Sequence, residues 1–179
     1  MRERGKGRLG LFLAFVALVA TFAACSRPKQ TATERIPRSE VWLALQTPTE
    51  HYRMDPAFAY ALIAAESNFD ARALNERASG LFQIKPEAWK TVSTLSYDEN
   101  VFDWRTNLQV GVDYLAWCRH TLHQKNVFSY PLLLASFHYG LDYVEARGFK
   151  MSNIPIPDNE IYRQLFAGNL TPVPSPVGK

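Results

Sequence analysis

The chain has 179 residues, of which 47% are hydrophobic, 13% aromatic and 21% charged; this suits one domain with short appendages and excludes a disordered or collagen-like chain. Its formal charge of +3 arises at the N-terminus, where Arg2, Arg4, Lys6 and Arg8 face Glu3 alone. The remainder is neutral, so there is no electrostatic case for nucleic acid or another polyanion as a partner.

Along the chain, the basic residues precede an apolar stretch from Leu9 to Phe22, and the small residues Ala23 and Ala24 lead into Cys25. Residues 1–24 therefore read as a secretion signal, with an apolar stretch shorter than the roughly 20 residues of a membrane span. Small residues directly before a cysteine also resemble the lipobox of bacterial lipoproteins, with Phe22 in place of the usual Leu. The resemblance implies acylation of Cys25, which becomes the mature N-terminus. Ser26, where an acidic residue would favour the inner membrane, implies the periplasmic side of the outer membrane. The alternatives are ordinary cleavage near Ala24 or an uncleaved anchor. An acylated Cys25 leaves Cys118 without an intrachain partner, so the fold is expected to stand without a disulfide.

Residues 25–38 are polar and lack an apolar period, which predicts a tether. A globular domain follows over 39–168, and the Pro-rich residues 169–179 form an extended tail. Inside the domain, Asp55-Pro56 supplies an N-cap and a first-turn proline for a helix running to about Ser67. A longer helix starts near Asp103, where Leu108, Gly111, Leu115, Cys118 and Leu122 form one buried stripe. Ser129-Tyr130-Pro131 opens a third helix that stops at Gly140, and a fourth follows Pro157-Asp158 and stops at Gly168. No segment alternates with a period of two, so the expected class is all-α. Cys118 reads as a small core residue, and His120 and His123 lack a third ligand for a metal.

One carboxylate breaks the pattern. Ala59, Leu62 and Ile63 mark the inward side of the helix from Pro56, and the same spacing lands on Glu66. Burial and the negative end of the helix dipole both favour the protonated form, which a general acid for glycosidic cleavage requires. The plainer reading is a half-exposed Glu paired with an Arg such as Arg72.

The segment Glu66-Ser67-Asn68-Phe69-Asp70-Ala71-Arg72-Ala73, followed by Ala78-Ser79-Gly80-Leu81-Phe82-Gln83-Ile84-Lys85-Pro86, resembles the catalytic domain of the soluble lytic transglycosylase (SLT) family. Asp103 to Leu115 looks like that family's Asp…Asn…Gly…Tyr-Leu helix. Ala135-Ser136-Phe137-His138-Tyr139-Gly140 falls where an Ala-x-Tyr-Asn-Ala-Gly motif is expected. The resemblance spans about Thr47 to Phe166. It implies a lysozyme-like fold, peptidoglycan glycan strands as substrate, and no cofactor or metal.

By the same resemblance, Glu66 is the catalytic acid, with Ser67 beside it to orient it through its hydroxyl. Gly80 is expected to allow close approach of the glycan, and Phe82, in place of a usual Met, to line the cleft or equally to pack in the core. Gln83 and Asn75, the latter standing where Ser is frequent, are expected to hydrogen-bond the sugar. Phe137-His138 replaces Tyr-Asn; Phe137 cannot supply the Tyr hydroxyl that normally contacts the acid, so compensation falls to His138 or Tyr139. Tyr162 resembles a late Tyr near the cleft. Asp70 is expected to cap local backbone, and Trp89, Trp104 and Trp117 to pack in the core with stacking on sugars as the alternative. The implied reaction cleaves the β-1,4 bond between N-acetylmuramic acid and N-acetylglucosamine, leaving 1,6-anhydro ends. A lysozyme-type hydrolase and a non-catalytic wall-binding lipoprotein are the competing functions. A cell-envelope assembly could recruit any of the three, and the sequence names none.

Overall fold

The computed structural model describes residues 32–176. The signal segment, Cys25 and the first part of the tether lie outside the described residues. Among the described residues no helix is long and apolar enough to cross a membrane.

The fold is mainly helical, as expected. Helix α1 (Arg38–His51) is followed by α2 (Pro56–Ser67), a two-stranded antiparallel hairpin of β1 (Leu74–Asn75) and β2 (Ala78–Ser79), then α3 (Pro86–Val92) and α4 (Tyr97–Asn100). The long α5 (Trp104–Gln124), α6 (Tyr130–Tyr139), α7 (Leu141–Glu145) and α8 (Glu160–Phe166) complete it. The predicted caps are in place. Asp55, Asp103 and Ser129 accept hydrogen bonds from Ala57 N, Thr106 N and Leu132 N at their helix starts. The last helix is capped by Asn159 rather than Asp158, and Asp158 pairs instead with Arg163 at 2.7 Å.

Helix α2 is the spine. Phe58 through Ile63 are all buried, because α1 and α8 pack on it while α6 bridges from α5 to α8. A helix enclosed this way needs apolar residues all round, not one stripe. On α5 the predicted stripe is buried at every position. Cys118 is fully buried, as a small core residue should be.

The tether expectation is corrected at its C-terminal end. Ile36 is buried, and its N–H donates to Phe69 O at 2.9 Å; Ala71 N donates to Glu34 O at 2.8 Å. Asp70 receives Glu34 N at 2.8 Å, and Arg72 pairs with Glu34 at 2.8 Å. Residues 34–36 therefore form a strap across the turn that ends α2. That turn holds Asn68 and Phe69 at φ of 49° and 64°, in the left-handed region, so the strap fixes backbone that favours other conformations.

Candidate active site

Glu66 lies in the last turn of α2, and its side chain is only 11% exposed. It faces a cleft of about 610 Å³, whose walls include the β1–β2 hairpin, the segment entering α3, and the junction of α6 with α7. Two groups reach its Oε1. The Tyr162 hydroxyl on α8 donates to it from beneath, and His138 Nδ1 on α6 lies 3.2 Å away on the cleft side. Among the described residues Oε2 has no protein partner. One oxygen is thus held and the other is left for a ligand.

Tyr162 is buried, and both burial and the negative charge of Glu66 push its hydroxyl well above the ordinary tyrosine range. It therefore stays protonated and keeps donating. The compensation expected for Phe137 comes from His138. Tyr139 does not supply it, because its hydroxyl donates to Pro155 O at 3.0 Å. Phe137 lines the cleft and packs against Phe82 and Tyr114, each 5.8 Å between ring centroids.

Asn75, Gln83, Phe137, His138 and Tyr139 all line the cleft with Glu66. Two other expectations, for Ser67 and Gly80, are corrected, and Phe82 takes the core role that stood as its alternative. Ser67 does not orient the acid; its hydroxyl donates to Ile63 O at 3.2 Å, within its own helix. Gly80 is buried at φ +79°, and a Cβ there would meet the Asn107 side chain and Val101 O, so it answers to the protein rather than to a glycan. Phe82 is fully buried, with its ring against the space that Gly111 leaves open on α5. Tyr162 stands beside the cleft, buried, with its hydroxyl donating to Glu66 Oε1. For Gln83 the outcome is divided: Nε2 donates to Ala73 O and Gly80 O, both at 2.9 Å, which leaves its oxygen as the group for a ligand.

Asp70 caps the local turn, accepting Arg72 N at 2.9 Å, and Arg72 pairs with Glu34 rather than with Glu66. Trp89 is fully buried. Trp104 sits partly buried against the core under the Arg105 guanidinium. Trp117, half-buried, lines the cleft and stacks on Tyr114 at 5.6 Å, which makes it the indole placed to meet a sugar. Sequence reasoning missed Asn107, which is fully buried. It accepts Phe82 N at 2.9 Å and donates to Ser79 O and Val101 O at 3.1 and 3.0 Å. Among the described residues no group of His, Cys, Asp and Glu could hold a metal ion.

The site is thus one sequestered carboxyl at the foot of an open cleft in a helical domain. Residues 44–148 match the transglycosylase SLT domain family, and the chain belongs to it. Its activity is accordingly of lytic-transglycosylase type, on the glycan strands of peptidoglycan. A search of the curated proteins finds no match.

Proposed function

We propose that the chain cleaves the β-1,4 bond between N-acetylmuramic acid and N-acetylglucosamine without water, with Glu66 as acid and then base. The observation that carries this reading is the arrangement on Glu66, with two contacts on Oε1 and none on Oε2 among the described residues. With Nδ1 of His138 protonated, Oε1 accepts from both His138 and Tyr162, so the proton of the acid sits on Oε2, toward the cleft. Oε2–H protonates the glycosidic oxygen as its bond to the muramic C1 breaks. The two donors stabilise the carboxylate that forms. Oε2 then takes the proton from the muramic 6-hydroxyl as O6 bonds to C1, closing the 1,6-anhydro ring and restoring the acid.

An intramolecular nucleophile has a high effective concentration and needs no positioned water. The substrate's acetamido group can steady the cationic centre, so a second enzyme carboxylate is dispensable. Asp70 and Asp103 are occupied as caps. Glu76, at the hairpin over the cleft, favours the second reading, a hydrolase.

Mass spectrometry of the products from purified sacculi separates the readings. Anhydro ends support the proposal, reducing ends the hydrolase, and no release a binding role. Glu66→Gln should lower cleavage at least about a thousandfold, since an amide cannot deliver the proton, while the circular dichroism spectrum and sacculus binding remain. Full activity in that variant would remove Glu66 from the mechanism.

The proposal also places the enzyme at the periplasmic side of the outer membrane, held by an acylated Cys25. Intact mass of the mature protein tests this: an acylated N-terminal cysteine is expected, and Cys25→Ser should lack the acyl mass. An unmodified mature terminus elsewhere would refute the anchor.

A further inference from the structure

The segment entering α3 carries a lysine that no step above uses. Lys85 lines the cleft and is exposed. Among the described residues, the hydrogen bond its Nζ makes is to His138 O, at 3.5 Å, the outer limit of such a bond. Among the described residues no carboxylate lies within ion-pairing distance of Lys85, nor of Arg77 at the hairpin. The ammonium thus stands against the backbone of the residue whose ring touches Glu66. Two residues earlier, Gln83 has committed its amide nitrogen to Ala73 O and Gly80 O, so Lys85 is the donor that this part of the wall can offer a ligand.

N-acetylated sugars are neutral, and their hydroxyls and amides do not call for a cation. The anionic groups of a peptidoglycan strand sit on the ether substituent at C3 of muramic acid. They are the lactyl carboxylate where the strand is bare, and the carboxylates of the stem peptide where it is not. C3 and C1 belong to one ring. A muramic acid with C1 at Glu66 therefore carries its C3 substituent within one sugar's width of the acid.

Resting on the function proposed above, we infer that Lys85, with Arg77 at the rim, is a specificity determinant that binds a carboxylate on the C3 substituent of muramic acid. Glu76, Glu87 and Asp142 also line the cleft. Their negative charge disfavours an anion in the cleft at large, so a bound carboxylate needs a cation such as Lys85 beside it.

The test uses Glu66→Gln protein, which holds ligand without turning it over. Calorimetry compares three tetrasaccharides: a muramyl tetrasaccharide with stem peptides, the same without them, and chitotetraose. Lys85→Gln should weaken muramyl binding about three- to fivefold at low salt and leave chitotetraose unchanged. The difference should fade near 1 M salt, where the Debye length is about 3 Å. Lys85→Arg should retain affinity. Lys85 gives α3 no side-chain cap, so the substitution removes only the 3.5 Å bond to His138 O, and unchanged chitotetraose binding shows that this loss does not disturb the cleft. Loss on the bare tetrasaccharide assigns the lactyl carboxylate; loss confined to the peptide-bearing one assigns the stem. Equal losses on chitotetraose and muramyl ligands, or none, overturn the inference while the transglycosylase reading stands. Failure of the protein with Lys85 intact to bind any muramyl ligand sinks that reading, and this inference with it.

Discussion

Glu66 is held by groups from two helices that converge on the same oxygen, and the buried one can be removed cleanly. Tyr162→Phe keeps the ring, its packing and its volume but deletes the hydroxyl that donates to Oε1. Losing one preorganised donor to a developing carboxylate should cut turnover about 10- to 100-fold. KM should change little, because Tyr162 is buried away from the ligand. The split between kcat and KM on a soluble tetrasaccharide checks this; an unchanged kcat would show that Tyr162 serves packing alone. At this scale the sequence was legible where a motif residue also has to face solvent: Glu66, Asn75, Gln83, Phe137, His138 and Tyr139 share one cleft. It was misleading for Gly80 and Ser67 and left Phe82 open between cleft and core, because a motif marks a position and carries no information about depth. A glycine needed beside Asn107 and one needed beside a sugar look the same in sequence. Tyr162 was found as a late tyrosine, yet its contact with Oε1 depends on α8 crossing the end of α2, which no local pattern encodes.

The element that shapes the cleft is the loop between β2 and α3, and it hangs on one side chain of α5. Asn107 satisfies Phe82 N, Ser79 O and Val101 O together while fully buried, so Asn107→Ala would leave Phe82 N and Val101 O without that partner in a dry site, while Ser79 O keeps the bond from Ile84 N at 3.1 Å. Buried unsatisfied polar groups cost about 1–3 kcal/mol each before relaxation. A total loss of about 2–4 kcal/mol is therefore expected, read as a lower urea midpoint at constant slope, with activity falling as the loop carrying Gln83 loosens. A variant as stable as the parent would show that the loop holds itself. Among the helices, α2, α5 and α6 were legible because each has a strong cap signal and a run of apolar residues. Helix α1 was not, because Leu43 is 65% exposed and Pro48 lies inside it, so its sequence shows a thin stripe and a breaker. Helices α3, α4 and α7 are too short to develop a period. The strap at 34–36 was read as tether because its one buried apolar side chain, Ile36, sits in a polar stretch and is covered by a distant turn.

For the molecule as a whole, a core without a disulfide rests on packing, and that core is closed over groups that ionise in alkali. Cys118 is the described free cysteine, and burial pushes its thiol from 9.0 up to about 12. Burial likewise raises the Tyr60, Tyr97, Tyr114 and Tyr162 hydroxyls above their ordinary 10.0. In the unfolded chain the thiol loses its proton near 9.0, while the native thiol keeps it to about 12. Between those values the unfolded state binds fewer protons than the native state, so stability falls as pH rises. The contribution is complete below the unfolded value and is lost as pH climbs through the native one. One such group gives a slope of about 1.4 kcal/mol per pH unit, and the tyrosines steepen the fall beyond pH 10. Urea unfolding midpoints should therefore be insensitive to these groups from pH 7 to about 9 and then decline with increasing slope. Cys118→Ala should start lower at every pH because of the small cavity, but it should delay the onset of the decline toward pH 10, where the tyrosines begin. An onset at the same pH in both proteins would mean that the thiol is open to solvent in the native state and that the α5 stripe is not sealed.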